Sequence, residues 1–161
     1  MSIGASLAGA AIILSASVYW GYDRSKKEKE ALLFICGLIA LCDFSQMHIK
    51  LFRTPKGEIF QKFSDEYLER IGFLTYIREG ETQRALALVR GVLDEKGCKA
   101  VDDFITMIGS GYEEDQRALC QYTSEQLRDI EGEKQKDLER KLKMYRLLPV
   151  LIACSVIILL I

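Results

Sequence analysis

Residues 147–161 read LLPVLIACSVIILLI, fifteen residues without a charge. With Met144 and the aliphatic stem of Arg146 they make about 27 Å of helix at ~1.5 Å per residue, close to a ~30 Å hydrocarbon layer. The stretch is read as a C-terminal membrane anchor. A buried terminal helix is the alternative, because a span ordinarily takes about twenty residues. The opposite end of the chain favours the anchor. The first charged residue is Asp23, and an almost continuous apolar run extends from Ile3 to Trp20, long enough to cross a bilayer. No Lys or Arg precedes this run and a basic cluster follows it, the reverse of a secretory signal, so the segment is expected to stay attached.

All 22 basic and 23 acidic residues of the 161-residue chain fall between Asp23 and Arg146. This pattern predicts a transmembrane helix over residues 1–22, one cytoplasmic helical-bundle domain over 23–146 and a second transmembrane helix over 147–161. The edges of the polar block are basic: Asp23–Lys29 holds four Lys/Arg against two acids, and Lys134–Arg146 six against two. Between them, from Glu30 to Glu133, there are twelve basic residues against nineteen acids. Basic collars on the same side of both spans put that side in the cytoplasm, with both termini on the far side and nothing beyond the spans to form a domain there. An anionic inner leaflet would attract the collars. The net charge of −1 argues against nucleic acid as a partner. Five cysteines, Cys36, Cys42, Cys98, Cys120 and Cys154, form no CxxC pair and read as free, mostly buried thiols in a reducing compartment.

Within the polar block the first helix is expected to continue to about Phe52, its middle ALLFICGLIALC (Ala31–Cys42) serving as a bundle's central helix, apolar nearly all round. Thr54 reads as an N-cap with Pro55 at the first helical position of a helix carrying Ile59, Phe60, Phe63, Tyr67, Leu68 and Ile71, weakened at Gly72 and ended at Gly80. Thr82 reads as the cap of a helix that stops at Gly97. Val101, Phe104, Ile105 and Ile108 mark another, closed by Gly109-Ser110-Gly111. One long helix then runs from about Glu113 to Tyr145, with a narrow apolar stripe of Leu119, Tyr122, Leu127, Ile130, Leu138, Leu142 and Tyr145, and with Asp137/Lys141 and Glu139/Lys143 as i,i+4 pairs. It leads into the anchor, where Pro149 predicts a kink or a fresh start. No alternating pattern predicts a strand. The fold class is all-α, a helical bundle between two transmembrane helices.

Chemistry is sparse. His48 has no second histidine or cysteine cluster near it, so no metal site is expected. Gly109-Ser110-Gly111 lacks the Lys of a phosphate-cradling loop and reads as a turn between helices. Asp102-Asp103 and Glu113-Glu114-Asp115 read as charge at helix N-termini, complementary to the macrodipole. No cofactor, metal or catalytic residue is expected. The stripe of the long helix packs against the first helix, pairs with another copy as a homo-oligomer or receives a partner protein, and Glu113, Glu114, Asp115, Arg128 and Glu131 are the candidate partner-binding residues. Gly4/Ala8 and Ala5/Gly9 permit close contact between membrane helices, and no ionisable residue lies within either span, which speaks against ion-coupled transport.

Several of these features meet in one family. The opening Ile3-Gly4-Ala5 with Gly21, the Thr54-Pro55 step after a long helix, the glycine-rich turn before Asp115 and the ending Ile158-Leu159-Leu160-Ile161 resemble stage III sporulation protein AB. The family pattern differs at His48, where it carries an acid, and at Pro149 and Ala153, where it carries glycines. The resemblance implies a domain similar to the cytoplasmic domains of the type II secretion F protein, in the mother-cell membrane around the forespore. It further implies a non-enzymatic place in a channel complex, with a cytoplasmic ATPase and other membrane subunits as neighbours. Two other readings stand beside it: a general two-span membrane adaptor or sensor unrelated to sporulation, and a membrane-tethered metal-dependent enzyme built on the acidic clusters.

Overall fold

In the computed structural model, which describes residues 3–52 and 55–160, all regular structure is α-helical. Seven helices follow in order: α1 Ile3–Phe52, α2 Lys56–Lys62, α3 Glu66–Arg70, α4 Phe73–Arg78, α5 Thr82–Arg90, α6 Glu95–Met107 and α7 Glu113–Leu160. The chain divides into two compact units, residues 31–133 and residues 1–30 with 134–161.

The unit of residues 31–133 holds the core. From α1 come Phe34, Ile35, Leu38, Leu41, Cys42 and Ile49; from the short helices Ile59, Phe60, Leu68, Phe73, Leu74 and Ile77; from α5 and α6 Ala85, Leu86, Val89, Val101, Phe104 and Ile105; from α7 Cys120 and Leu127. Phe34 meets Phe73 edge-on at 5.5 Å between ring centroids, which ties the first helix to the fourth. Two glycines within helices permit close approaches of their neighbours. A Cβ on Gly37 of α1 would lie 2.8 Å from Leu68 Cγ, and one on Gly97 of α6 would lie 2.8 Å from Ile130 Cδ1 of α7.

Several local expectations are corrected. The stretch from Pro55 to Gly80 is three short helices rather than one. Phe63 leaves α2 in an extended conformation, Asp65 then caps α3 by accepting the Leu68 N–H at 2.9 Å, and Gly72 at φ +81° opens α4. The guanidinium of Arg78 donates to the carbonyls of Phe60 and Phe63, taking up acceptors that α2 leaves open at its end. Pro55 is the extended N-cap of α2 and not its first helical residue; Thr54, expected as the cap, lies outside the described residues. Thr82 begins α5 and does not cap it, Glu81 holding that position. Gly97 does not end a helix: α5 stops at Arg90, and Asp94 caps α6 by accepting the Gly97 N–H at 2.9 Å. Asp102 and Asp103 consequently sit in the middle of α6, away from its N-terminus.

The two long helices also differ from expectation. The central stretch of α1 is buried on one broad face, while Leu33, Met47 and Leu51 are exposed. On α7 Leu127 and Leu138 of the expected stripe are buried and Ile130 packs against the core, but Cys120, Thr123 and Ser124 share the inward face, so Tyr122 is exposed and Leu119 half-buried. Thr123 reaches the Ala100 carbonyl at 3.3 Å, and this bond lets a polar residue serve as an inner one. Helix α7 continues through Pro149 without a fresh start.

The smaller unit joins the two collars. Lys141 donates to Glu28 at 2.7 Å, and Lys27 pairs with Asp23 at 3.0 Å. Among the described residues one helical segment, Ser25–Leu51, is long and apolar enough to cross a membrane, and half of it is buried inside the protein. Its own Phe34, Ile35, Leu38 and Leu41 are buried in the core, which accounts for its apolarity as a core helix. Most side chains of the apolar runs 1–22 and 147–161 lie outside the described residues.

Candidate interaction surfaces

One side chain spans the turn between α6 and α7. Gln116 accepts the Gly109 N–H at 3.1 Å through Oε1 and donates from Nε2 to the Gly111 carbonyl at 3.0 Å. Both glycines need the left-handed conformation, at φ +85° and +93°. Lys56 of α2 lies against this turn and donates to the Ile105 carbonyl near the end of α6, a favourable place for a cation. Partial burial lowers the Lys56 pKa. Ile49, Pro55, Lys56, Tyr112, Glu113 and Gln116 border an open cleft of about 510 Å³ here.

Glu113, Glu114 and Asp115 form the first turn of α7, where negative charge complements the macrodipole. Glu114 and Asp115 are exposed and Glu113 is half-buried. Tyr112, immediately before them, is 82 % exposed. A rigid turn thus presents an aromatic ring beside an acidic edge. Tyr112 and Gln116 escaped the sequence reading; the available signal was an aromatic residue placed directly between a glycine turn and a helix start.

Arg128 and Glu131 are placed differently. Arg128 holds Asp43 of α1 at 2.7 Å, and Glu131 accepts the Cys36 thiol at 3.3 Å. These two candidates fasten α7 to α1, whereas the acidic turn faces solvent. Burial, and then the hydrogen bond and charge of Glu131, push the Cys36 pKa up to about 11. Cys42 and Cys120 are buried, and Cys36, Cys42, Cys98 and Cys120 are all free. His48 stacks obliquely on Phe44 at 4.2 Å. Among the described residues no three His, Cys, Asp or Glu side chains gather as a metal-holding set.

Two further patches combine apolar and charged groups. Met107, Asp115, Ala118, Leu119 and Tyr122 line a cleft of about 330 Å³ between α6 and α7. Met47, Lys50, Leu51 and Arg117, with Asp43 and Gln46, line another of about 330 Å³ between α1 and α7.

A family model described as stage III sporulation protein AB (spore_III_AB) matches residues 6–161. No curated protein and no solved structure matches the chain.

Proposed function

The chain belongs to the stage III sporulation protein AB family, and from that premise we propose that it is a non-enzymatic, membrane-anchored component of a channel complex between mother cell and forespore. Membership implies a sporulation-related role; the rest is our reading. The apolar runs 1–22 and 147–161 serve as two spans, with the basic collars at the cytoplasmic face of the mother-cell membrane. The helical unit, similar in design to the cytoplasmic domains of the type II secretion F protein, links a cytoplasmic ATPase to the membrane subunits.

The observation that supports coupling is the α6–α7 turn. A flexible loop would transmit little, but the paired Gln116 bonds hold this one rigidly under Tyr112, Glu114 and the start of a 48-residue helix. An exposed aromatic beside carboxylates suits a basic, partly apolar partner surface.

The test is co-purification of the full chain in detergent with the ATPase of the same operon, for the native sequence and for Tyr112→Ala/Glu114→Lys. Loss of the ATPase from the variant, with unchanged helicity and membrane retention, supports the assignment. Unchanged retention, with normal sporulation in cells carrying the variant, overturns it. Protease accessibility supplies a second check: residues 60–130 on the outer side of the membrane would refute the topology.

A further inference from the structure

The two 330 Å³ clefts are complementary. One is apolar with an acidic margin: Met107 and Tyr122 are 52 % and 56 % exposed, Asp115 lines the cleft, and Asp103 lies one helical turn before Met107 on the same face of α6. The other is apolar with a basic margin. Met47 and Leu51 are 46 % and 61 % exposed, and Lys50 and Arg117 stand beside them. Asp43 also borders the basic cleft, but Arg128 and Ser124 hold its two carboxylate oxygens. The Nε of Arg117 is buried without a hydrogen-bond partner.

Position matters as much as composition. Asp115, Leu119 and Tyr122 fall within about 60° of one another around α7, while Arg117 falls about half a turn away at the same level. One chain therefore carries opposite halves of an apolar, charge-matched contact on opposite faces of one helix. We propose that the acidic cleft of one copy receives the basic cleft of the next, so that the helical unit assembles head to tail with itself. Isologous pairing of either cleft with itself would place Asp115 against Asp115, or Arg117 against Arg117, and reciprocal pairing of the unlike clefts across one twofold axis would need both on the same face of α7. A head-to-tail contact does not stop at two copies. It continues until the rotation closes a ring, or it grows as a filament.

The test uses the full chain in lipid bilayers with Cys36, Cys98 and Cys154 replaced by Ser. Chains carrying both Met47→Cys and Tyr122→Cys, treated with a short bismaleimide, should give a ladder of species beyond the dimer. Chains with either cysteine alone should give none. A ladder from the double variant alone supports the contact; dimers from chains carrying only one of the two introduced cysteines, or no product from any, overturn it. Charge reversal gives an independent arm that does not depend on placing cysteines. Lys50→Glu/Arg117→Gln and Asp103→Lys/Asp115→Lys, each with native helicity, should each reduce self-association by roughly tenfold or more. Mixing the two leaves one intact acidic cleft and one intact basic cleft, so dimers and nothing larger should return. Self-association of either variant at native strength overturns the proposal. Neither arm involves the ATPase, so its failure is separable from failure of the coupling role.

Discussion

Asp43 of α1 and Arg128 of α7 meet at 2.7 Å, eighty-five residues apart in sequence, and Ser124 donates to the other Asp43 oxygen at 3.0 Å. Each partner of the ion pair is about half exposed, so solvent screens it and the pair alone contributes about 0.2–1 kcal/mol. The Ser124 bond, on a residue only 4 % exposed, adds to this. Asp43→Ala should therefore destabilise more than Arg128→Ala, since it orphans the buried hydroxyl as well. A double-mutant cycle by thermal unfolding, followed by circular dichroism of the full chain in detergent, measures the coupling. Equal effects of the two single substitutions would refute the ranking.

Gly37→Ala should cost about 1–3 kcal/mol. The new methyl would lie 2.8 Å from Leu68 Cγ, an atom near the base of a fully buried side chain that has no room to turn away. Gly97→Ala meets Ile130 Cδ1 at the same distance, but that atom is the tip of a side chain that is only half-buried. The second substitution should be the milder, and Ile130→Val should recover part of its cost while leaving Gly37→Ala unaffected. Melting temperatures of the four variants decide the point.

Gln116→Glu and Gln116→Ala separate the two bonds of the α6–α7 turn. Glutamate can still accept the Gly109 N–H but cannot donate to the Gly111 carbonyl, whereas alanine loses both. At roughly 1 kcal/mol per bond, the alanine variant should show the larger loss of amide protection at Gly109 and Ser110, read by hydrogen exchange. Equal protection in both variants would mean that the glycine conformations alone hold the turn.

Much of the architecture was legible because it rests on hydrophobic period and length. The all-α class, the extent of α1 to Phe52 and the start of α7 at Glu113 follow from long patterned runs without breakers. The divisions between Pro55 and Met107 were less legible, because they depend on caps whose value is set by geometry. Asp65 and Asp94 look like ordinary surface acids until their carboxylates are seen on the Leu68 and Gly97 amides. The inward face of α7 was legible at Leu127, Ile130 and Leu138 but not at its polar members, for a related reason. Thr123 and Ser124 are polar by type, yet each finds a tertiary partner, and the helix turns accordingly, leaving Tyr122 outside. The place of Glu113, Glu114 and Asp115 in the first turn of α7 was legible from charge before a long run without breakers. The structural engagement of Arg128 and Glu131 was not, since their partners Asp43 and Cys36 are distant in the chain.

Cys36 should alkylate slowly despite its exposure. Burial of the sulfur, and then Glu131, push its pKa to about 11, so only a minute fraction is thiolate at neutral pH. Glu131→Gln removes the adjacent charge and should speed maleimide labelling a few-fold, leaving the desolvation component in place. Comparable labelling rates for both proteins would show that Glu131 does not govern the thiol.

The same groups make stability fall on the alkaline side. A thiol in the unfolded chain titrates near about 8.5, whereas in the folded chain burial carries Cys120 to about 12, and burial first and Glu131 next carry Cys36 to about 11. Below about pH 8 both states hold these protons and no dependence arises. Above about pH 9 the unfolded chain gives them up while the folded chain retains them, so rising pH favours unfolding until the native thiols titrate. Lys and Tyr residues titrate in the same range, and the comparison must therefore be internal. The decline in denaturation midpoint between pH 8 and pH 10.5 should be shallower for Cys36→Ala/Cys120→Ala than for the native chain, whatever the offset at pH 8. Parallel declines would remove the thiols as its source and leave the alkaline loss to the other side chains.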